Sequence, residues 1–284
     1  VLTKLDCPLE FAGEFDWLRC LGFYRSRALD GVERLGQKGR EGKEGLEEQQ
    51  EQSVYQRIIA LPAGWAVYQV QHEGASQSLQ MQASLQHAQD IDPLKAAVRR
   101  QFDLDADLSQ VEAQLKPGAL GAGWIDGVRI PGIISPFEAG VRAVLGQQVS
   151  VVAARNLVQQ VVDELASVID VEAQTWRLFP TPDQIAQSEL AFLKMPGARR
   201  EALRRLAGYC AEYGDANPDD WLALKGIGPW TVNYVKLRAG LSRDIFLDSD
   251  LGVKNALKQQ NLSLSADQVS PWGSYATFQL WHRL

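Results

Sequence analysis

Apolar and polar positions change their rhythm partway along this chain. Val54–Leu61 and Trp65–Val70 are rich in β-branched and aromatic residues and are joined by Pro62-Ala63-Gly64, which predicts two strands and a turn. Ser78–Ala83 alternates apolar with polar and predicts a third strand. Phe15–Leu35 and Asp92–Phe102 carry apolar residues at helical spacing and predict amphipathic helices lying on that sheet. The second is expected to open with Asp92 as its cap and Pro93 at the first helical position. From Pro136 onward the period is helical. Ser135-Pro136-Phe137-Glu138 has the form of a capping box, opening a helix that runs to Gly146. Further helices are predicted from Ser150, Thr181, Ala198, Asp219, Pro229 and Asp250, and strand-like runs are scarce. The expected fold class is α+β: a small antiparallel sheet domain with helices over residues 1–123, then an all-α domain over residues 124–284.

Residues 36–52 fit neither rhythm. Four glycines at three-residue spacing, dense charge and one apolar residue cannot form a core, so a flexible surface insertion is expected there. The remaining totals mostly exclude. The 284 residues suffice for one large domain or two ordinary ones, and 45% hydrophobic content is ordinary for a globular protein. No run of eighteen apolar residues exists, and Val1-Leu2-Thr3-Lys4 lacks the basic-then-apolar pattern of a signal peptide, so no membrane partner is expected. Cys7, Cys20 and Cys210 form no zinc, iron–sulfur or C-x-x-C pattern, and the three histidines are scattered, which points to a reducing cytoplasm and away from a His-based metal site. The net charge of −6 argues against nucleic acid only as a sum. From Ala191 to the end there are 12 Lys and Arg against 9 Asp and Glu, a surplus of +3, whereas the rest carries −9.

The basic stretch also holds the most informative segment, Leu224-Lys225-Gly226-Ile227-Gly228-Pro229-Trp230-Thr231-Val232-Asn233-Tyr234. Two glycines around a core-seeking isoleucine allow positive φ and close backbone approach, and Pro229 suits the first turn of the next helix. The free N–H groups of that helix start, aided by its dipole, are suited to a phosphate. Asp244, Asp248 and Asp250 follow and are candidates to stabilise positive charge on a sugar. Trp230 and Tyr234 share one helix face and can stack a base. Arg199-Arg200 and Arg204-Arg205 read first as a solvated helix face and second as phosphate contacts.

Leu-x-Gly-Ile-Gly-x-Trp-Thr-x-Asn-Tyr resembles the helix-hairpin-helix of the base-excision DNA glycosylases, and the chain resembles their alkylated-base branch, the DNA-3-methyladenine glycosylase II family. Four further stretches carry this likeness in order: Phe15-Asp16-Trp17 through Phe23, Phe137 through Ser150, Asp244 through Gly252, and Pro271 through Trp281. The resemblance implies a two-lobed helical domain with hairpin 222–230 and a cleft between the lobes. It implies a monofunctional hydrolase that flips 3-methyladenine-like bases out of duplex DNA and leaves an abasic site. Asp250 is then the catalytic carboxylate and Asp248 the alternative. Trp230 stands where related lyases carry their Schiff-base lysine. Trp230, Tyr234, Trp281, Phe23 and Leu251 are implied to form the base pocket, Leu251 replacing a tyrosine of the type enzyme. Gln148 is implied to enter the gap left by the extruded nucleotide, with Lys225, Gly226, Gly228 and Thr231 facing DNA. The carbonyls of Leu222, Leu224 and Ile227 are implied to hold a structural Na⁺ or K⁺, with no organic cofactor required. A monomer in a bacterial cytoplasm, associated with the nucleoid through DNA, is expected. Two other readings share these residues: a glycosylase for oxidised or deaminated purines, and a non-catalytic DNA-damage-binding protein.

Overall fold

The computed structural model describes residues 1–37 and 53–284. The expected insertion therefore lies outside the described residues, apart from Gly36 and Gln37, which belong to a strand.

Five strands form one antiparallel sheet in the order β1-β5-β4-β3-β2, with β1 Thr3–Glu10, β2 Glu33–Gln37, β3 Ser53–Ala60, β4 Trp65–His72 and β5 Ser78–Leu85. The three expected strands are present. The first, β1, pairs with β5 from Thr3↔Leu85 to Glu10↔Ser78 and was not expected. It alternates Leu5, Cys7 and Leu9 with polar residues, but Pro8 masks the pattern; a proline without N–H is tolerated there because β1 is an edge. The expected helix 15–35 is also corrected. Helix α1 spans only Trp17–Arg25, capped by Asp16 accepting from Arg19 N–H at 3.0 Å. Beyond Asp30-Gly31 the chain becomes β2, which pairs with β3 from Glu33↔Arg57 to Gln37↔Ser53. Apolar spacing in that stretch is overridden by pairing and by the ion network described below. Helix α2, Ile91–Gln101, begins one residue before Asp92; Asp90 precedes it and accepts from Ala63 N–H at 3.1 Å instead of capping. Trp17, Tyr24, Tyr55, Tyr68 and Phe102 fill the core between sheet and helices. Burial of each contributes on the order of 1.5–3 kcal/mol.

Two helical cores follow. Helix α3, Leu108–Leu115, packs with residues 237–280 and not with the sheet, so the expected boundary at 123 falls inside a shared core. The other lobe is built on α4 Pro136–Gly146, α5 Val151–Leu165, α6 Pro182–Gln187, α7 Gly197–Tyr213 and α8 Pro229–Arg238. The remaining helices are α9 Leu251–Gln259, α10 Ala266–Val269 and α11 Gly273–Trp281. Residues 218–223 form a 3₁₀ turn where a helix from Asp219 was expected. One addition interrupts the helical half: β6 Ser167–Val171 and β7 Gln174–Leu178 pair as a hairpin. Its turn places Glu172 and Ala173 at φ of +52° and +62°, a geometry that usually advertises itself by Asn-Gly or Asp-Gly, and here does not. Trp176 of this hairpin is buried against Ile58 of β3.

Four charged side chains weld the sheet to α4. Buried Arg57 on β3 reaches Glu33 at 3.0 Å and also pairs with Glu138, while Arg142 reaches Glu138 at 2.8 Å and Glu33 at 3.1 Å. Tyr55 Oη donates to Glu33 at 2.6 Å. Burial alone would raise the Glu33 pKa, but Arg57 and Arg142 hold it below its ordinary value. The Ser135 hydroxyl does cap α4, accepting from Glu138 N–H at 3.1 Å, yet the Glu138 carboxylate serves this network and does not close the box.

Asp103, just past α2, ties the sheet domain to the third core. It accepts from Tyr275 Oη at 2.8 Å and from Ile130 N–H at 3.3 Å, and burial pushes its pKa from 3.8 to about 6. A raised carboxylate favours the fold while protonated, so its contribution is complete below pH 3.8 and is lost as pH rises through about 6. Relative to wild type, Asp103→Asn is expected to gain about 2 kcal/mol of stability between pH 4 and 6.5, read by urea denaturation. A pH-independent difference would contradict this account.

Candidate active site

The hairpin forms as its residues suggest, through one glycine of the two. Gly226 adopts φ of +99°, and a Cβ there would lie 2.6 Å from Ala202 Cβ on α7. Gly228 adopts φ of −113°, open to any residue, and a Cβ would meet nothing within 4 Å, so the expected need for positive φ there does not hold. Ile227 is buried in the core below, and α8 starts at Pro229 with no side-chain cap on its first N–H groups. Lys225 is exposed and its carbonyl accepts from Arg205 Nη1 at 3.3 Å, so Arg205 lies beside the hairpin. Thr231, expected to face DNA, is 2% exposed; its hydroxyl accepts from Gln147 Nε2 at 3.2 Å. Its place in the first turn of α8 points it inward.

The three aspartates separate cleanly. Asp244 is spent on Ser270 Oγ at 2.6 Å and Gly273 N–H at 3.1 Å. Asp248 is exposed and does not line the cleft described next. Asp250 lines it and caps α9, accepting from Val253 N–H at 3.1 Å. Two indoles complete its shell: Trp281 Nε1 donates to Oδ1 at 2.9 Å and Trp230 Nε1 to Oδ2 at 3.1 Å. Three N–H groups from three helices thus fix both oxygens of one half-buried carboxylate.

The cleft has a volume of about 480 Å³, within the usual range for small-ligand sites. Trp230 stacks on Tyr234 with centroids 5.4 Å apart, Tyr234 meets Trp281 at 6.3 Å, and Trp281 lies parallel to Phe23 at 6.4 Å. The four expected aromatics therefore form one continuous wall. Leu251 is 71% exposed and stands on the rim, where a residue just inside the helix start must point outward. Gln148 is exposed at the tip of the turn between α4 and α5, with φ of +58°. Val151 and Val152, at 44% and 65% exposure, continue an apolar lip beside it. Of the hairpin carbonyls, that of Leu224 accepts from Ile227 N–H at 3.0 Å.

Some contributors were not read from the sequence. Gly252 is one: a Cβ there would lie 3.0 Å from Asp250 Oδ1 and 3.2 Å from Trp281 Cδ1. A glycine in the first turn of an amphipathic helix was its available signal. Gln147 is another, since it ties the tip to the hairpin through Gly226 O at 3.3 Å as well as through Thr231. Arg27 and Arg238 also line the cleft, and nothing in their spacing marks them.

Residues 7–135 match the AlkA N-terminal domain family. The chain is 30% identical to DNA-3-methyladenine glycosylase 2 of Escherichia coli K12, over 96% of each sequence. It is 30% identical to DNA-3-methyladenine glycosylase of Bacillus subtilis 168, over 64% of this chain and 69% of that one. Its fold matches that of the 3-methyladenine DNA-glycosylase of Archaeoglobus fulgidus with a TM-score of 0.75, at 18% identity and covering 97% of both chains. An 8-oxoguanine glycosylase/lyase of Clostridium acetobutylicum shares the fold at a TM-score of 0.66 and 14% identity, over 99% of this chain and 96% of that one. The end-to-end identity with the E. coli enzyme places the rest: this chain belongs to the DNA-3-methyladenine glycosylase II family, the AlkA type.

Proposed function

We propose that the protein excises alkylated, 3-methyladenine-like bases from duplex DNA by hydrolysis and leaves an abasic site. The observation that carries this reading is Asp250, a carboxylate fixed by two indole donors at the edge of an aromatic cleft. Rupture of an N-glycosidic bond builds positive charge on the deoxyribose. A carboxylate held in place needs no reorganisation to stabilise that charge, and the same oxygens can orient the attacking water. The extruded base stacks on the wall of Trp230, Tyr234 and Trp281, which suits an electron-poor alkylated ring. Trp230 occupies the position at which a lyase lysine would stand, and its N–H serves Asp250, so the reading is of a monofunctional enzyme.

The DNA face follows from the same elements. The uncapped start of α8, with Gly226, Gly228 and Lys225 exposed or half-exposed around it, takes a phosphate. Gln148 enters the duplex where the nucleotide leaves, from the minor-groove side. The second lone pair of the Leu224 carbonyl, with the carbonyls of Leu222 and Ile227, would hold a Na⁺ or K⁺ that adds positive charge to the phosphate site. The protein acts as a monomer in the bacterial cytoplasm; among the described residues no helix is long and apolar enough to cross a membrane.

Asp250→Asn is expected to lower single-turnover release of 3-methyladenine from alkylated duplex by roughly 10³-fold while DNA affinity stays within a few-fold. Asp248→Asn is expected to retain most activity. Loss in Asp248→Asn with activity intact in Asp250→Asn would reassign the carboxylate, and binding without release by wild type would leave only a damage-binding protein. Trp281→Phe keeps a ring and deletes one charge-assisted hydrogen bond. Its release rate is expected to fall roughly tenfold to a hundredfold, with little change in melting temperature.

A further inference from the structure

The turn that carries Gln148 is fastened to the hairpin through its neighbour. Helix α4 ends at Gly146, and Gln148, Val149 and Ser150 are exposed. Ser150 is committed to α5, which it caps by accepting from Ala153 N–H at 3.2 Å. Gln147 is half-buried and turns toward α8. An amide nitrogen has two hydrogens to give, and Gln147 Nε2 donates to Gly226 O at 3.3 Å and to Thr231 Oγ1 at 3.2 Å. One acceptor lies in the hairpin turn and the other in the first turn of α8, so a single side chain spans the place where a phosphate would sit. The hairpin itself is braced from behind by α7. Gly226, at φ of +99°, lies so close to Ala202 that a Cβ would come within 2.6 Å of it, and Arg205 donates to the adjoining Lys225 carbonyl at 3.3 Å. Thr231 is 2% exposed, so its hydroxyl has little water to turn to if Gln147 is removed.

We propose that Gln147 is a positioning residue for nucleotide extrusion: by tying the turn after α4 to the hairpin, it holds Gln148 at a fixed distance from the backbone grip, so that gripping the strand and parting the stack are one docking step. This rests on the glycosylase reading above and on the entry of Gln148 into the duplex. Extruding a nucleotide costs its pairing and its stacking, and the cost is lower for a base with no partner. A side chain that fills the gap offsets part of that cost only if it arrives in register with the grip. An untethered turn would first lose its own freedom, and that ordering would be subtracted from the gain. Both N–H groups of Gln147 are spent within the protein, so it works through Gln148. The benefit of the tether therefore grows with the work of extrusion, and it contributes little to binding of DNA that stays stacked.

The test uses Gln147→Met, which keeps the bulk of the side chain and deletes both donors. Single-turnover release of 7-methylguanine under saturating enzyme is measured from two duplexes, one with cytosine opposite the lesion and one with a tetrahydrofuran residue, which offers no pairing partner. The variant is expected to be slower by about twentyfold on the paired lesion and by less than about threefold on the unpaired one, with affinity for undamaged duplex within about twofold of wild type. Equal losses on both duplexes, or a matching loss of affinity for undamaged DNA, would overturn the proposal and leave Gln147 as packing. Adding Thr231→Val to Gln147→Met is expected to slow release no further, because the two share one bond; an additive loss counts against the tether. If Gln147→Met does not melt as wild type does, Thr231→Val alone replaces it, with an expected loss of about fivefold confined to the paired lesion, and an unchanged rate there has the same adverse meaning. Gln148→Ala is expected to show the same dependence on pairing. A Gln148→Ala rate equal to wild type would remove the side chain that Gln147 holds in place, and would overturn the proposal while leaving the glycosylase reading intact. Failure of wild type to release the base from either duplex would instead sink that reading, and the tether's role with it.

Discussion

The buried pairing of Arg57 with Glu33 and Glu138 is the constraint on which the architecture turns. Each of these charges, stranded alone, would cost several kcal/mol, and removing one partner from such a set is typically worse than never having built it. The two acids and two bases therefore fix β2, β3 and α4 relative to one another. Glu33, Arg57 and Arg142 also line the cleft, so the bond between sheet and helices doubles as its floor. A polar floor of this kind can be satisfied in one arrangement of the two layers and in few others, which gives the cavity a defined shape.

On that floor stands a site assembled from distant parts of the chain. α8 brings Trp230, α9 brings Asp250 and α11 brings Trp281, and the carboxylate accepts from all three. Gly252 lets the last helix lie against the first turn of α9, since any side chain would press on the Trp281 indole. Capping the helix and gathering the two indoles are thus done by the same carboxylate. The helix start orients Oδ1, the indoles hold both oxygens, and the carboxylate lines the cleft.

Much of this was legible in the residues, and the exceptions have physical causes. The β3–β4 hairpin, the caps at Ser135, Ser150 and Thr181, and the plug of Ile227 are local, and local patterns record them. β1 was hidden by Pro8, and β6–β7 by a turn that uses Glu172 and Ala173 where glycine or asparagine would normally stand. β2 was read as helix because its identity is set by a partner strand and by Arg57, neither visible in its own spacing. Among three nearby aspartates, spacing alone left the choice open; the likeness to a known family pointed to Asp250, whose carboxylate accepts from two indoles. Arg27 and Arg238 could not be found this way, because what distinguishes them is their place over the ring of Phe23, a property of three dimensions only.

Gln148 holds a left-handed backbone, and its neighbour Gln147 pins the turn to Gly226 and Thr231. A side-chain-bearing residue in that region is strained by about 1–2 kcal/mol, and here the charge is met once, by folding. A floppy loop would surrender its freedom afresh at every encounter with a ligand. This one is already shaped by its own hydrogen bonds, so the turn has little ordering entropy left to lose when something meets it.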